Sequence, residues 1–313
     1  MSKPVVIVSH WLPGGELSHW QQEFPQLEFV DAKVPDALSR AEIAYGLPDL
    51  VRLPEAAKLR WIQLASAGVP HALCAIAKQK EIRVTNLAGL YGQTIAEHAI
   101  AMLLILNRNL QVVERNQASK TWDRNVANTM RDLHGKTLAI VGLGNIGSNI
   151  ARLAKAFGMR IVACKRTMKP SIYADQLYPN TELRAMFAEA DHVAIAAPLT
   201  KATEGMVGLD ALKSLKERAI LVNVSRGPIV QEQALIEALR NGPLGGAGLD
   251  VFAVEPLPVD HPLWTMPNVI VSPHYSGETV NTSDLPAKRF ARNLRSYQEG
   301  KLLEGVVDLD QGY

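Results

Sequence analysis

The stretch Val141-Gly142-Leu143-Gly144-Asn145-Ile146-Gly147 decides the fold expected for this chain. It closes an apolar run, Thr137–Val141, that is typical of a buried strand. It opens a segment, Ser148–Phe157, whose apolar residues recur at helical spacing. A strand, a G-x-G-x-x-G turn and a helix in this order are typical of a dinucleotide-binding unit. These flanking segments favour a dinucleotide site over a glycine-rich turn without a ligand.

Each glycine of this motif has its own expected role. Gly142 allows a tight turn, Gly144 lets the backbone approach a pyrophosphate, and Gly147 lets the helix pack closely on the strand. The helix that follows presents free N–H groups and a partial positive charge at its N-terminus. We therefore expect the phosphates of a dinucleotide at the start of this helix.

Length and composition predict an ordinary soluble protein of two domains. The chain has 313 residues, of which 47% are hydrophobic and 20% are charged. The net charge of +2, without blocks of like charge, argues against nucleic acid as a partner. The longest clearly apolar run, residues 99–106, is too short to cross a bilayer and predicts a buried helix, so we expect no membrane partner.

Cysteine and histidine usage argues against a disulfide framework and against a metal site. Cys74 and Cys164 are far apart in sequence and form no C-x-x-C pair. This pattern favours a reducing, cytoplasmic location. The histidines show no H-E-x-x-H or similar spacing, so no metal is predicted.

The first part of the chain alternates short strands with helices, which predicts a small parallel α/β domain. Residues 66–70 predict a turn, and a long helix from Thr94 to about Asn116 leads into the second domain. The predicted strands are Val5–Val8, Leu27–Val30, Ile43–Tyr45, Trp61–Leu64 and Arg83–Leu87, and the predicted helices are His19–Phe24 and Leu53–Arg60.

From Gly135 onward the alternation predicts a doubly wound, parallel dinucleotide-binding sheet of six strands. The predicted strands are Thr137–Val141, Arg160–Cys164, His192–Ala196, Ala219–Asn223, Gly246–Leu249 and Val269–Val271. The predicted helices include Asn145–Phe157, Thr181–Ala188, Gly208–Ser214 and Gln231–Asn241.

The last predicted helix, Pro286–Glu299, follows the completed sheet and is expected to return to the first domain. The expected fold class is therefore α/β with two Rossmann-like domains. We expect residues 1–92 with 286–313 to form a smaller, discontinuous, flavodoxin-like substrate domain, and residues 93–285 to form the NAD(P)-binding domain.

Four polar side chains follow predicted strands of the larger sheet: Arg226, Asp250, Glu255 and His274. Ligands of open α/β sheets bind outside the carboxyl ends of the strands, so these side chains are expected to converge beside the cofactor. Plainer interpretations exist for each of them. Arg226 and His274 could be surface residues, Glu255 a turn residue, and Asp250 a carboxylate satisfied within the protein.

These segments together make the sequence resemble the D-isomer-specific 2-hydroxyacid dehydrogenases, in particular their glyoxylate and hydroxypyruvate reductase branch. The resemblance implies a catalytic set of Arg226, Glu255 and His274, a nicotinamide amide near Asp250, and a homodimer. It covers nearly the whole chain, through residues 66–68, 141–147, 198–200, 223–227, 250–257, 272–277 and 306–308.

The predicted ligand contacts combine the motif with this resemblance. For substrate they are Ala67 and Gly68, whose backbone N–H groups would hold a carboxylate, with Arg226 and His274. For cofactor they are Gly142, Leu143, Gly144, Asn145, Ile146, Gly147, Lys165, Arg166, Thr167, Pro198, Thr203, Val224, Asp250 and Gly277.

The residue types suit the reduction of a 2-keto acid, which needs a hydride at the carbonyl carbon and a proton at its oxygen. NAD(P)H would supply the hydride. His274 as an imidazolium can supply the proton, and Glu255 beside it would favour the charged ring. Arg226 can bridge the keto oxygen and the substrate carboxylate with its planar fork and stabilise the developing alkoxide.

The end of the second strand of the sheet, Cys164-Lys165-Arg166-Thr167, indicates the cofactor. NAD enzymes carry an Asp or Glu there for the ribose 2′-hydroxyl, and such a carboxylate would repel a 2′-phosphate. This chain has Lys165, Arg166 and Thr167 instead, which predicts that NADP is preferred and NAD possible. The plainer alternative is a solvated basic turn.

Two positions depart from the family pattern. Pro70 stands where an Asp often follows the Gly-Val of the substrate loop, and Gln231 stands where an Asp often precedes the helix after Arg-Gly. The related formate dehydrogenases typically carry Gln where Glu255 stands, which disfavours that activity.

A second class of function stays open: a catalytically weak, NAD(P)-sensing, corepressor-like binding protein of the same fold. The intact set of Arg226, Glu255 and His274 favours the enzyme, because a sensor need not keep it. A methyltransferase with a glycine-rich loop would give no reason for these downstream residues.

Overall fold

A computed structural model of the chain describes residues 3–312. The chain divides into two compact units. The first comprises the chain up to Tyr91 and from Glu278 onward, and the second runs from Gly92 to Gly277. The predicted division lies one residue later at the first crossing and eight residues later at the second. The second difference arises because the chain joins the first unit before its last helix begins.

Within the described residues the elements alternate along the chain. The strands are β1 (Val5–Val8), β2 (Glu28–Asp31), β3 (Ala41–Tyr45), β4 (Trp61–Gln63), β5 (Arg83–Thr85), β6 (Thr137–Val141), β7 (Arg160–Cys164), β8 (Gln176–Tyr178), β9 (His192–Ile195), β10 (Ala219–Asn223), β11 (Leu244–Leu249) and β12 (Val269–Val271). The α-helices are α1 (Glu16–Glu23), α2 (Ala37–Arg40), α3 (His71–Gln79), α4 (Gly92–Asn107), α5 (Leu110–Ala118), α6 (Asn145–Ala156), α7 (Leu183–Ala188), α8 (Leu209–Lys213), α9 (Glu232–Asn241) and α10 (Leu285–Gln298).

The first unit contains a five-stranded parallel sheet of order β2-β1-β3-β4-β5. This is the flavodoxin-like order, and it confirms the predicted smaller α/β fold. Successive strand residues face opposite sides of the sheet. Val6 therefore belongs to a core with Trp20 and Phe290, whereas Ile7 belongs to the core on the other face with Leu73.

A buried polar network attaches α10 to this sheet. Trp61 Nε1 donates to Thr85 Oγ1 at 2.8 Å, and that hydroxyl donates to Gln63 Oε1 at 2.8 Å. Asn293 Nδ2, from α10, donates to the same Gln63 oxygen at 2.8 Å. Buried polar groups are stable when hydrogen-bonded, so these bonds make α10 part of the first unit despite its distance in sequence.

The second unit contains a seven-stranded parallel sheet of order β12-β11-β10-β9-β6-β7-β8. The order reverses between β6 and β9, as in a doubly wound nucleotide-binding sheet, which confirms the predicted fold class. Helices cover both faces: Ile140 packs with Met102 and Ile150 on one side, and Val141 packs with Phe187 on the other.

The prediction of one long helix from Thr94 to about Asn116 is wrong, because this segment forms two helices, α4 and α5. Asn109 adopts the left-handed conformation with φ 49° and ψ 37°, which Asn tolerates better than most residues. Its Nδ2 donates to Thr129 Oγ1 at 2.7 Å. This partner lies outside the helical pattern, so the spacing of apolar residues did not predict the break.

The helix predicted over Leu53–Arg60 is also wrong. A single 3-10 turn spans Leu53–Glu55. Arg60 N donates to Glu42 O at 2.8 Å, and Arg60 O accepts from Arg83 N at 2.9 Å. Arg60 is therefore held in the extended chain that enters β4.

Three labelled elements escaped the sequence prediction: the short helix α2, the helix α3 and the strand β8. Residues 66–70 were expected only to turn, but Pro70 leads directly into α3, which buries Leu73, Cys74 and Ala77. The three-residue strand β8 pairs with β7 at the sheet edge and adds a seventh strand. Among residues 3–312, none of the helices combines the length and the apolar character that crossing a membrane requires.

Candidate active site

The predicted functional residues of the second unit follow neighbouring strands of its sheet. The glycine turn follows β6, the segment of Pro198 follows β9, and Arg226 follows β10. Glu255 follows β11, and His274 follows β12. Because the strands are parallel, all these segments leave the same edge of the sheet.

The packing around the glycine turn explains two of its glycines. Gly142 has φ 95°, and a Cβ on it would lie 2.5 Å from Ala197 N. A Cβ on Gly147 would lie 2.1 Å from Gly142 O. Side chains at these two positions are therefore incompatible with the turn and with the approach of α6.

Gly144 differs from these two glycines, because a Cβ there would meet no described atom within 4 Å. The surface over Gly144 is open, as the close approach of a pyrophosphate requires. Within the described chain no side chain caps α6, and Gly144 takes the cap position. The N–H groups of its first turn can therefore receive an anion, which supports the predicted contacts at Asn145 and Ile146.

The predicted 2′-phosphate segment begins directly after β7. Gly142 N donates to Cys164 O at 3.0 Å, which places this segment beside the glycine turn. Lys165 is half-buried, and Arg166 and Thr167 are exposed. Burial raises the pKa of the Cys164 thiol to about 11, so this cysteine is a packed, uncharged residue.

Thr203 shapes the loop after β9 through its hydroxyl group. It donates to Pro198 O at 2.6 Å and accepts from Thr200 N at 2.8 Å. Thr203 is buried, and its hydroxyl already makes these two hydrogen bonds. A cofactor that contacts Thr203 as predicted would have to share this hydroxyl with Pro198 and Thr200. Val224 is buried as well and continues the β10 pairing, with its N–H donating to Ile195 O.

A local network fixes the backbone at Arg226. Asn223 Nδ2 donates to Arg226 O at 3.1 Å, and Ser225 N donates to Asn223 Oδ1 at 3.1 Å. The Ser225 hydroxyl also donates to Ala197 O. These bonds join the loops after β9 and β10.

The Arg226 side chain is half-buried, and its Nη1 donates to Ser225 O at 2.6 Å. Burial lowers the pKa of Arg226, and the negative charge of Glu255 opposes this shift in part. The guanidinium is thus a poorly solvated cation on the strand-end edge, which suits the binding of a carboxylate.

Glu255 and His274 form a pair. His274 Nδ1 lies 2.7 Å from Glu255 Oε2, and Phe252 N donates to Glu255 Oε1 at 2.9 Å. A carboxylate accepts hydrogen bonds, so His274 Nδ1 carries a hydrogen and Nε2 is the nitrogen available for proton exchange. Both side chains are partly exposed.

Asp250 is fully buried and accepts hydrogen bonds from the protein with both oxygens. Ser272 Oγ donates to Oδ1 at 2.7 Å, and Tyr275 N and Ser276 N donate at 3.1 Å. The structure therefore places Asp250 as an anchor of the loop that carries His274. The predicted nicotinamide contact would require one of these oxygens to be shared. Gly277 ends this loop and the second unit.

The predicted substrate-loop residues Ala67 and Gly68 lie in the first unit. Asn86 Nδ2 donates to Ala67 O at 2.8 Å, and Ser66 Oγ donates to Gly68 O at 2.9 Å. That these residues hold a carboxylate stays a prediction.

Sequence reasoning missed the supporting residues. Asn86 and Ser225 fix the loops of Ala67 and Arg226, and Ser272 and His98 contact Asp250. Only Ser225 and Ser272 had a sequence signal, because they lie within the segments that carry Arg226 and His274. No group of three His, Cys, Asp or Glu side chains suited to a metal occurs in the part of the chain that the structure describes.

The two parallel sheets and the glycine turn define a two-unit α/β protein with a nucleotide-binding sheet. Comparison with known proteins supplies the family. A family model described as D-isomer specific 2-hydroxyacid dehydrogenase, NAD binding domain, matches residues 100–276.

Relatives match nearly the whole chain. The glyoxylate reductase of Korarchaeum cryptofilum is 32% identical, over 98% of this chain and 96% of its own. That of Thermococcus gammatolerans is 33% identical over the same shares. The crystal structure of a D-isomer specific 2-hydroxyacid dehydrogenase from Xanthobacter autotrophicus, in complex with NADPH and MES, is 29% identical, covers all of both chains and has a TM-score of 0.84.

The chain therefore belongs to the D-isomer specific 2-hydroxyacid dehydrogenase family. This confirms the resemblance found in the sequence, including its glyoxylate reductase branch. It also confirms a nicotinamide dinucleotide as the class of cofactor.

Proposed function

We propose that this protein reduces small 2-keto acids, such as glyoxylate and hydroxypyruvate, to D-2-hydroxy acids with NADPH. The observation that carries the proposal is the 2.7 Å contact between His274 Nδ1 and Glu255 Oε2 at the strand ends. This is the arrangement of a general acid–base with its orienting carboxylate. The two relatives named glyoxylate reductase support the substrate class.

In the proposed reaction, a bound nicotinamide supplies the hydride that reduces the carbonyl carbon. His274 donates a proton from Nε2 to the carbonyl oxygen, while Glu255 holds the ring through Nδ1 and favours its charged form. Arg226 binds the substrate carboxylate and the keto oxygen, and it stabilises the oxygen as negative charge develops there. In the reverse direction His274 accepts the proton.

A turnover assay tests this function against the alternative of an NAD(P)-sensing binding protein. Purified protein should oxidise NADPH in the presence of glyoxylate, hydroxypyruvate or phenylpyruvate, and the His274→Ala variant should not. Binding of NADPH without turnover of any 2-keto acid would favour the sensor. The same panel at fixed NADPH ranks the substrates.

We propose that NADPH is preferred to NADH because Lys165, Arg166 and Thr167 follow β7 where NAD enzymes carry an acid. The NADPH complex of the Xanthobacter relative supports this choice. Hydrogen bonds to a charged group contribute about 1.5–3 kcal/mol each, and exposure favours the low end. We therefore expect NADPH to be preferred to NADH by roughly tenfold to hundredfold in kcat/KM.

The Arg166→Ala variant should lose affinity for NADPH with little change for NADH, and high salt should reduce the preference of the wild type. Arg184→Ala, at an exposed arginine of the same unit, serves as the matched control. Equal kcat/KM for the two cofactors in the wild type at low salt would contradict the preference.

We also propose a homodimer. Every residue of α5 is at least partly exposed, and Leu110 and Val113 on it are 46% and 41% exposed. An apolar surface of this kind suits an interface between subunits.

Sedimentation should give the mass of a dimer, and a Leu110→Glu, Val113→Glu double variant should give a monomer. Ile172→Glu, at another exposed apolar side chain, should leave the mass unchanged. A monomeric wild type would refute the assembly.

A cytoplasmic location is part of the proposal, since Cys74 and Cys164 are both free and buried.

A further inference from the structure

The loop that carries His274 is held by one buried carboxylate. Asp250 accepts from Ser272 Oγ on one side of His274, and from Tyr275 N and Ser276 N on the other. His274 itself has φ 54°, in the left-handed region of backbone conformation that residues other than glycine rarely adopt. The anchors around it therefore hold His274 in a backbone conformation that the residue does not favour by itself.

A second histidine lies against these anchors. His98, on α4, has Nε2 3.1 Å from Ser272 Oγ and 3.9 Å from Asp250 Oδ1. Its ring meets the ring of Tyr275 edge-on, with centroids 5.5 Å apart and planes at 82°. One side chain of α4 thus contacts three residues that define the position of His274.

The supply of hydrogens sets the direction of the bond between His98 and Ser272. The Ser272 hydroxyl has one hydrogen, and the Asp250 carboxylate, which also accepts from two backbone N–H groups, can only accept. That hydrogen therefore goes to Asp250 Oδ1 at 2.7 Å. Ser272 Oγ then accepts from His98, whose Nε2 must carry a hydrogen. The result is a donor chain from His98 through Ser272 to Asp250.

We infer that His98 is a positioning residue for His274, acting through Ser272, Asp250 and Tyr275. The inference rests on the proposed acid–base role of His274. It adds to the site a residue of α4, which is far from His274 in sequence but contacts its loop. His98 does not exchange protons with the substrate; it keeps the loop rigid, so that the His274 ring stays where proton transfer needs it.

Two variants separate the N–H donor of His98 from its ring, and a third variant is the control. His98→Phe keeps an aromatic ring against Tyr275 but removes the N–H donor. His98→Gln keeps an N–H donor of similar reach. His134→Phe is the matched control, since His134 is an exposed histidine of the same unit. If His98→Phe does not fold, His98→Asn replaces it, because its side chain is too short to reach Ser272.

Hydrogen exchange and kinetics are the two measurements. In His98→Phe the amides of Tyr275 and Ser276 should exchange about five- to tenfold faster, the effect expected for one lost hydrogen bond. The kcat for glyoxylate reduction should fall by a similar factor with little change in KM, and its solvent deuterium isotope effect should rise because proton transfer becomes slower. His98→Gln should restore both, and His134→Phe should match the wild type.

Exchange of these amides at the wild-type rate in His98→Phe would show that His98 does not hold the loop. Faster exchange with an unchanged kcat and isotope effect would show that the loop does not position His274. Either result overturns the inference. Normal turnover by His274→Ala refutes the proposed function instead, and the exchange data still decide whether His98 holds the loop.

Discussion

Replacing Arg226 by methionine should separate activity from stability. The Arg226 guanidinium is half-buried, and burial lowers its pKa although Glu255 acts in the opposite direction. Its side chain donates to the Ser225 carbonyl at 2.6 Å. The protein thus keeps a cation in a poorly solvated place, and we attribute this to the substrate binding that we propose for Arg226.

The expected loss of activity follows from the bonds that a planar guanidinium makes to a keto acid. Two charge-assisted hydrogen bonds, at about 1.5–3 kcal/mol each, amount to roughly 3–6 kcal/mol. This corresponds to a fall in kcat/KM of about two to four orders of magnitude. Methionine removes the buried charge and fills similar space, so the free energy of unfolding should stay the same or rise by about 1 kcal/mol.

The assay is NADPH-dependent reduction of glyoxylate, with NADPH affinity and urea unfolding measured on the same preparations. NADPH should bind Arg226→Met as it binds the wild type. Arg226→Lys is the matched control: it keeps the charge but loses the fork, so its activity should lie between the other two. A methionine variant with kcat/KM near that of the wild type would refute the role of Arg226. A large loss of stability would refute the view that its burial is maintained for function.

Two further predictions concern Glu255 and His192. In the proposed reaction Glu255 orients the His274 ring through the 2.7 Å contact with Nδ1, so Glu255→Gln should lower kcat/KM for reduction with little change in NADPH affinity. An unchanged kcat/KM would exclude Glu255 from this role. His192 is 1% exposed, and burial lowers its pKa from 6.5 to about 3. Between these two pH values the unfolded chain binds a proton at His192 that the folded chain does not bind. The free energy of unfolding therefore decreases as the pH falls. From pH 7 to pH 5 this loss should be about 2 kcal/mol, and His192→Leu should remove it. Urea unfolding at both pH values is the measurement, and an equal loss in the variant would contradict the reasoning.

Local patterns in the sequence were sufficient for six of the seven strands of the nucleotide-binding sheet. Strands β6, β7, β10 and β12 have the bounds that the apolar runs predicted. Each is a short apolar segment between turn residues, so its signal lies within a few neighbouring residues. The glycine turn could be predicted for the same reason, since the roles of Gly142 and Gly147 depend on the strand before them and the helix after them.

The candidate catalytic residues could also be named from the sequence. Arg226, Glu255 and His274 follow successive strands, and parallel topology brings such positions to one edge. The structure adds the 2.7 Å contact between Glu255 and His274, and the hydrogen bond from Phe252 N that fixes the carboxylate. Spacing along the chain contains neither distance.

The sequence by itself thus determined the family, six strands of the nucleotide-binding sheet and the candidate site residues, because those signals are local or ordered along the chain. Tertiary structure alone decided the break at Asn109 and the hydrogen bonds of Asp250. The Asp250 carboxylate was open to two interpretations, a cofactor contact or a carboxylate satisfied within the protein. Only the fold supplies its partners, which are Ser272, Tyr275 and Ser276 from the segment after β12 and His98 from α4. A buried carboxylate needs donors wherever the fold brings them, so its role depends on contacts between segments that share no pattern in the sequence.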